Sequence, residues 1–265
     1  SMGLNALFLG YGRMGAALGE AWLGAGLVDG IDAVDPIRAQ DVQARLYRQA
    51  ADLPAPPYDL VVMAVKPVMA REALSALPAS QLQNATIISV MAGVPLQTLR
   101  ASLPLERPVV RSMPNTAVMV RQGCVGLYAD EDVSPALRQT ISRLFDAVGR
   151  SFWVDDEAQL HAVTAISGSG PAYYHLFSEA LADAGVNLGL PRELAKQLAA
   201  QTALGAATLQ TQYDADFVAL RQAVTSPNGT THAAIEEFEQ GQALRRLVDV
   251  AAAKAGQRSV ELSGG

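Results

Sequence analysis

Three short stretches carry residue types and spacings from which chemistry can be argued. The first, Gly10-Tyr11-Gly12-Arg13-Met14-Gly15, is a complete G-x-G-x-x-G set. It lies between an apolar run, Leu4 to Leu9, and a segment with helical spacing through Leu18, Trp22 and Leu23. In such a strand-turn-helix, the first glycine allows the tight turn, the second lets backbone approach a pyrophosphate, and the third lets helix pack on strand. The helix N-terminus then offers free N–H groups and a partial positive charge to the phosphates. The second stretch, Thr164 to Tyr173, reads Thr-Ala-Ile-Ser-Gly-Ser-Gly-Pro-Ala-Tyr. Its glycines predict a break in any helix entering from upstream, with a new helix starting at Pro171, whose missing N–H costs nothing at a first position. Composition alone also fits a flexible linker. The apolar flanks Val163, Ile166, Leu176 and Phe177 instead imply buried backbone that something approaches closely. The third stretch, Val224 to Thr231, reads as a Pro-Asn-Gly turn leading into a helix capped by Thr230 or Thr231. A helix N-terminus flanked by hydroxyls is also a small carboxylate site, and spacing does not choose between the two readings.

Two single residues add to the first stretch. Asp35 ends the strand Ile31 to Val34, where an acid can accept from the ribose 2'-hydroxyl of NAD and repel the 2'-phosphate of NADP. Pro36 follows in place of an arginine, which leans the cofactor toward NADH, although Arg38 could reach a 2'-phosphate. Lys66 stops the apolar run Asp59 to Val65, so it stands on the ligand side of a parallel sheet, or else is a solvated loop lysine. His161, His175 and His232 show no metal-ligand spacing, and no metal is expected. No acid–base constellation of His, Asp or Glu emerges either.

The elements that must hold these stretches alternate in the first half. Strand-like runs at Ile31 to Val34, Asp59 to Val65, Ile87 to Val90, Val109 to Val110, Cys124 to Tyr128 and Ser151 to Val154 are separated by helical ones, including a helix starting at Pro135 capped by Ser134. This predicts a doubly wound, mainly parallel, Rossmann-like sheet over residues 1–155. Residues 156–265 read as all-helical: Asp156 to Ala165, Pro171 to Ala184 with Gly185 as its stop, Pro191 to Leu209, Asp216 to Ala223, Ala233 to Glu239 and Ala243 to Leu262. Their long apolar faces exceed what one small domain covers, so dimerisation through this half is expected. The chain has 265 residues, 50% of them hydrophobic and 17% charged, enough for two globular domains. A net charge of -6 argues against nucleic acid, which needs a basic footprint. A single cysteine, Cys124, leaves no disulfide framework and points to a reducing, cytoplasmic setting. The opening residues lack a secretory leader pattern, and no apolar run reaches the roughly 18 to 20 residues of a membrane span.

Taken in order, Gly10 to Gly15, Ala64-Val65-Lys66-Pro67, Met113-Pro114-Asn115-Thr116, Ser167 to Tyr173 and Val224 to Thr231 resemble the pyrroline-5-carboxylate reductases along nearly the whole chain. The last two motifs are the specific ones. The resemblance implies reduction of 1-pyrroline-5-carboxylate to proline, the final step of proline biosynthesis, with NADPH or NADH. It places the pyrophosphate on Gly10 to Gly15, and Ala64, Val65, Lys66, Pro67 and Asn115 near the cofactor. Thr164, Ser167 and Gly168 come beside the nicotinamide ring, with Thr164 orienting the ring or delivering a proton. It gives the substrate carboxylate to Ser226, Asn228, Gly229, Thr230 and Thr231, with Thr231 supplying a hydroxyl. It further implies a homodimer with interlocked helical domains that completes the pocket and in some members assembles further. Ala117, Asn228, Ala234 and Arg13 depart from the usual family residues; asparagine tolerates positive φ, so the backbone at 228 is expected to keep its shape. Two alternatives stand beside this reading. One is a related imine or β-hydroxy acid oxidoreductase, although the lysine base of the latter would fall in the first helix after the sheet, and Lys196 is in the second. The other is a cofactor-binding homodimer without turnover.

Overall fold

The computed structural model describes residues 3–37, 42–54 and 57–264; Arg38 lies outside them. Contacts divide the chain into two units, Ser1–Ser169 with Ala255–Gly265, and Gly170–Lys254.

The first unit is built on eight strands: β1 (Asn5–Leu9), β2 (Gly30–Val34), β3 (Arg45–Tyr47), β4 (Leu60–Met63), β5 (Thr86–Ser89), β6 (Val109–Met113), β7 (Gly123–Tyr128) and β8 (Gly149–Trp153). They form one sheet in the order β3-β2-β1-β4-β5-β6-β7-β8. All neighbouring pairs run parallel except the antiparallel β6 and β7. Side chains alternate across a strand, so a strand covered on both faces must be apolar at every position. All four residues of β4 are buried. Ala6 and Phe8 of β1 with Val62, Ile88 and Val110 face one core, closed by α1 (Arg13–Gly24) and later by α5 (Pro135–Asp146). Leu7 and Leu9 with Val61, Met63, Ile87 and Val109 face the other. There α2 (Ala70–Ser75), α3 (Ala79–Leu82) and α4 (Leu96–Ala101) supply the cover. Trp22 links α1 to α5, its indole donating to the Leu144 carbonyl at 2.7 Å and its ring edge-on to Phe145. Ser134 caps α5 by accepting from the Leu137 amide at 3.1 Å, as the Ser-Pro pair predicts.

Strand β3 is absent from the sequence reading. With three residues it offers no periodicity, and a charged group pins it: Arg45 Nε donates to Asp32 Oδ1 at 2.6 Å. Asp32 is almost wholly buried and also accepts from the Tyr58 hydroxyl at 2.7 Å. Burial and this carboxylate push Tyr58 well above the usual tyrosine range, so it remains a donor.

A second correction concerns Ser167 to Pro171. The chain does not leave the helix there. Helix α6 (Gln159–Val163) widens into a π-turn over Thr164–Gly168, marked by Ser169 N–H donating to the Thr164 carbonyl at 2.8 Å, and α7 (Gly170–Asn187) follows. A proline inside a helix cannot donate to the carbonyl four residues back and crowds it. The wider turn makes room, and that carbonyl, Ser167 O, accepts instead from Asn115 Nδ2 at 3.0 Å.

In the second unit α7 packs against α8 (Arg192–Gln210) through Ala182, Ala195 and Ala199, with α9 (Phe217–Ala223) and α10 (Thr230–Glu239) following. Gly185 does not stop α7. A Cβ there would lie 3.1 Å from Ala195 Cβ, so the glycine serves close helix approach, and Gly189 at φ +104° ends the segment. Large apolar side chains remain on the surface of this unit, among them Leu176, Phe177, Leu188, Phe217 and a fully exposed Tyr213. Helix α11 (Ala243–Leu262) starts in the second unit and ends in the first. Among the described residues no helix is long and apolar enough to cross a membrane.

Candidate active site

Strand order reverses at β1 and β4, and in open parallel sheets ligands bind at the carboxyl ends beside such a switch point. Gly10 leaves β1 there with φ +91°, and a Cβ on it would sit 2.5 Å from the Ala64 carbonyl oxygen at the end of β4. Only glycine brings the two strand ends this close. Gly15 does the same for α1, since its Cβ would meet Gly10 O at 2.9 Å. A Cβ on Gly12 would instead meet nothing within 4 Å. Two of the three glycines are therefore filled around by protein, and the middle one opens a cradle at the N-terminus of α1. That is the arrangement a pyrophosphate requires. Arg13 is exposed, and Met14 packs partly on the core.

Tyr11 is wholly buried, with its ring edge-on to Phe8 and its hydroxyl donating to Glu20 Oε2 at 2.6 Å. Its backbone N–H donates to Asp35 Oδ2 at 2.9 Å, and Ile37 N–H donates to Asp35 Oδ1 at 2.9 Å. Asp35 thus stands fixed at the end of β2. Across the switch point Ala64 continues the ladder to Leu9 O at 2.8 Å, Val65 is half-buried, and Lys66 and Pro67 are exposed at the start of a single 3₁₀ turn, Pro67–Met69.

At the far end of β6, Asn115 is buried and spends its amide on backbone: Oδ1 accepts from Ala117 N and Cys124 N, each at 3.2 Å, and Nδ2 reaches Ser167 O. It therefore holds the π-turn to the β6–β7 end of the sheet. Gly168 is needed in that contact, because a Cβ would lie 2.8 Å from Met113 Cε. Thr164 and Ser167 both return their hydroxyl protons to the helix, to Leu160 O at 2.8 Å and Val163 O at 3.1 Å. Thr164 can accept toward a ligand while its own proton is engaged. Single π-turns inside α-helices are frequent at functional sites.

Sequence reasoning passed over Arg111. It is buried within β6 and donates from Nη1 to Glu157 Oε2 at 2.7 Å, while Leu96 N–H donates to the same oxygen at 2.8 Å. The pair anchors the segment that leads into α6. Its signal was a charge embedded in the apolar run that begins at Val109.

Within the second unit Asn228 adopts φ +60°, as its residue type allows, and Gly229 N–H donates to Ser226 O at 3.1 Å. The N-cap of α10 is Gly229, not a threonine: Gly229 is the residue with extended backbone, so Thr230 and Thr231 fall in the first helical turn. A Cβ on Gly229 would lie 2.8 Å from Ser226 Oγ. The amides of Thr230, Thr231 and His232 have no intrahelical acceptor, the arrangement that suits a carboxylate. His232 Nε2 lies 2.9 Å from Glu236 Oε1 and His161 Nδ1 lies 2.8 Å from Ser259 Oγ; no His, Cys, Asp and Glu cluster among the described residues could hold a metal.

Two family models match the chain. "NADP oxidoreductase coenzyme F420-dependent" covers residues 6–93, and "Pyrroline-5-carboxylate reductase dimerisation" covers residues 157–262. A pyrroline-5-carboxylate reductase of Pseudomonas aeruginosa is 48% identical over 77% of this chain and 75% of its own length. A solved pyrroline-5-carboxylate reductase from Coxiella burnetii superposes with a TM-score of 0.89 at 34% identity, covering 98% of both chains. The Plasmodium falciparum enzyme, solved with NADP bound, superposes at 0.84 with 28% identity over 98% of both.

Proposed function

The chain belongs to the pyrroline-5-carboxylate reductase family, and on that premise we propose that it reduces 1-pyrroline-5-carboxylate to proline with NADPH or NADH, closing proline biosynthesis. The observation that carries this from family to molecule is the open cradle at Gly12 between two glycines whose surroundings are filled. A reduced nicotinamide bound by this crevice supplies the hydride that the imine carbon accepts. The residues supply position, because a protonated cyclic imine is already electrophilic.

In this reading Gly10 to Gly15 hold the pyrophosphate and Asp35 faces the adenosine ribose. Ala64 to Pro67 line the cofactor, and Asn115 fixes Ser167 and Gly168 where the nicotinamide lies. Thr164 orients the ring. Ser226 to Thr231 hold the substrate carboxylate through backbone N–H groups and the Thr231 hydroxyl. Residues 1–155 serve the dinucleotide and residues 156–265 the substrate and a second copy. The exposed apolar side chains of the second unit support a homodimer. Asp35, held by two amides, supports a preference for NADH. The single cysteine fits a reducing, cytoplasmic setting.

The test is the fall in absorbance of NADH, and separately of NADPH, when pyrroline-5-carboxylate is added to the purified protein. Substrate-dependent oxidation, faster with NADH, is expected. Cofactor binding without imine consumption would overturn the reductase reading, and a strong preference for NADPH would overturn the role given to Asp35.

A further inference from the structure

The connection from β2 to β3 is short. Parallel neighbours are usually joined by a dozen or more residues that include a helix. Here residues 35–44 make the crossover, and no helix is formed among the described ones, 35–37 and 42–44. Outside a helix, the amides of Gln43 and Ala44 at the end of the connection need acceptors from elsewhere. Glu20, on α1, provides them: Oε1 accepts from Gln43 N at 2.7 Å and Oε2 from Ala44 N at 3.4 Å. The same Oε2 accepts the Tyr11 hydroxyl at 2.6 Å. The other end of the connection is tied to the same residue, through Asp35 on the Tyr11 N–H. Tyr11 therefore links both ends of the connection to the glycine turn. Gly19 permits this, since a Cβ there would lie 2.4 Å from the Tyr11 hydroxyl oxygen.

We propose that Glu20 is a positioning residue for the adenosine end of the cofactor. In dinucleotide folds the residues following the second strand meet the adenosine ribose. In this chain the described ends of that connection, Asp35 and Gln43 with Ala44, are tied to the glycine turn through Tyr11 and a carboxylate on α1. The proposal rests on the NAD(P)H reading above and gives Glu20 a role through Tyr11, Gln43 and Ala44, the groups it holds.

The test is Glu20→Gln and, separately, Tyr11→Phe in the full chain. Kd for NADH and for NADPH is read by calorimetry without imine, beside KM for each substrate, kcat and Tm. Loss of charge-assisted grips on the connection is expected to raise Kd and KM for the nicotinamide cofactor about tenfold in Glu20→Gln, with imine KM and kcat at saturating cofactor within about twofold of the unsubstituted protein. Tyr11→Phe is expected to raise the same Kd, and it serves if Glu20→Gln folds poorly. Lowered Tm with unchanged cofactor Kd would show a purely structural carboxylate and overturn the proposal. Equal losses in imine KM, cofactor KM and kcat would overturn it too. Because Kd is read without imine, an unsubstituted protein that binds cofactor but reduces nothing counts against the reductase reading and leaves the Glu20 result to stand or fall by itself.

Discussion

Replacing Asn115 by alanine gives the most direct test of how the site is held together. The side chain makes three hydrogen bonds, to Ala117 N and Cys124 N at 3.2 Å and to Ser167 O at 3.0 Å. Each contributes about 1 kcal/mol net, so truncation should cost about 3 kcal/mol, more if buried partners are left without water. In a chain of this size that corresponds to a fall in Tm of about 6–12 °C. Ser167 O is the sensitive partner, because Pro171 cannot take over the bond. Thermal melts followed by circular dichroism and by the fluorescence of Trp22 and Trp153, both in the first unit, would read the change. Asn115→Asp keeps the two acceptor contacts but points an oxygen at Ser167 O, so it should recover little of the loss. A Tm for Asn115→Ala within about 2 °C of the unsubstituted protein would refute the reasoning, because it would put the three bonds together below the net value of one.

Gly10→Ala should destabilise the first unit by about 3 kcal/mol or more, since φ +91° and the Ala64 carbonyl at 2.5 Å both oppose a side chain. Gly12→Val should cost only the cap preference, about 1 kcal/mol, yet abolish NAD(P)H binding measured by calorimetry; retained affinity would remove the cradle from the cofactor site. Thr231→Ala should raise KM for the imino acid about tenfold with smaller effect on cofactor KM, by the loss of one hydrogen bond to a charged group. Steady-state kinetics with an unaltered KM would reject that carboxylate contact. Thr164→Ala should lower kcat about tenfold through looser orientation, and unchanged turnover would take the hydroxyl out of the reaction.

The parts of the fold legible in the sequence are those that depend on a local pattern. Unbroken apolar runs gave the buried parallel strands, and Gly10, Gly12 and Gly15 announced the turn because each glycine answers a steric demand only a few residues away. Asn228 was likewise readable from its tolerance of positive φ. What escaped depends on partners distant in sequence. Strand β3 is held by Asp32 rather than by apolar alternation. The stretch at Pro171 looked like a helix break because the group that relieves it, Asn115, lies far back in the chain, just past the end of β6. Gly185 looked like a stop because Ala195, which needs the space, belongs to the next helix. Tyr11 sits inside the glycine motif, and nothing local tells that its ring turns into the core toward Glu20.

The passage of α11 from the second unit into the first has a consequence for synthesis. Residues 255–264 leave the ribosome after the whole second unit, yet they carry Ser259, the partner of His161, and Ser263, which packs beside Gly93. The unit begun first is therefore finished last. Its sheet can form early, as N-terminal units generally do, but its packing closes only when the tail of α11 arrives, so a nascent chain stalled before residue 255 would hold an unfinished nucleotide-binding unit.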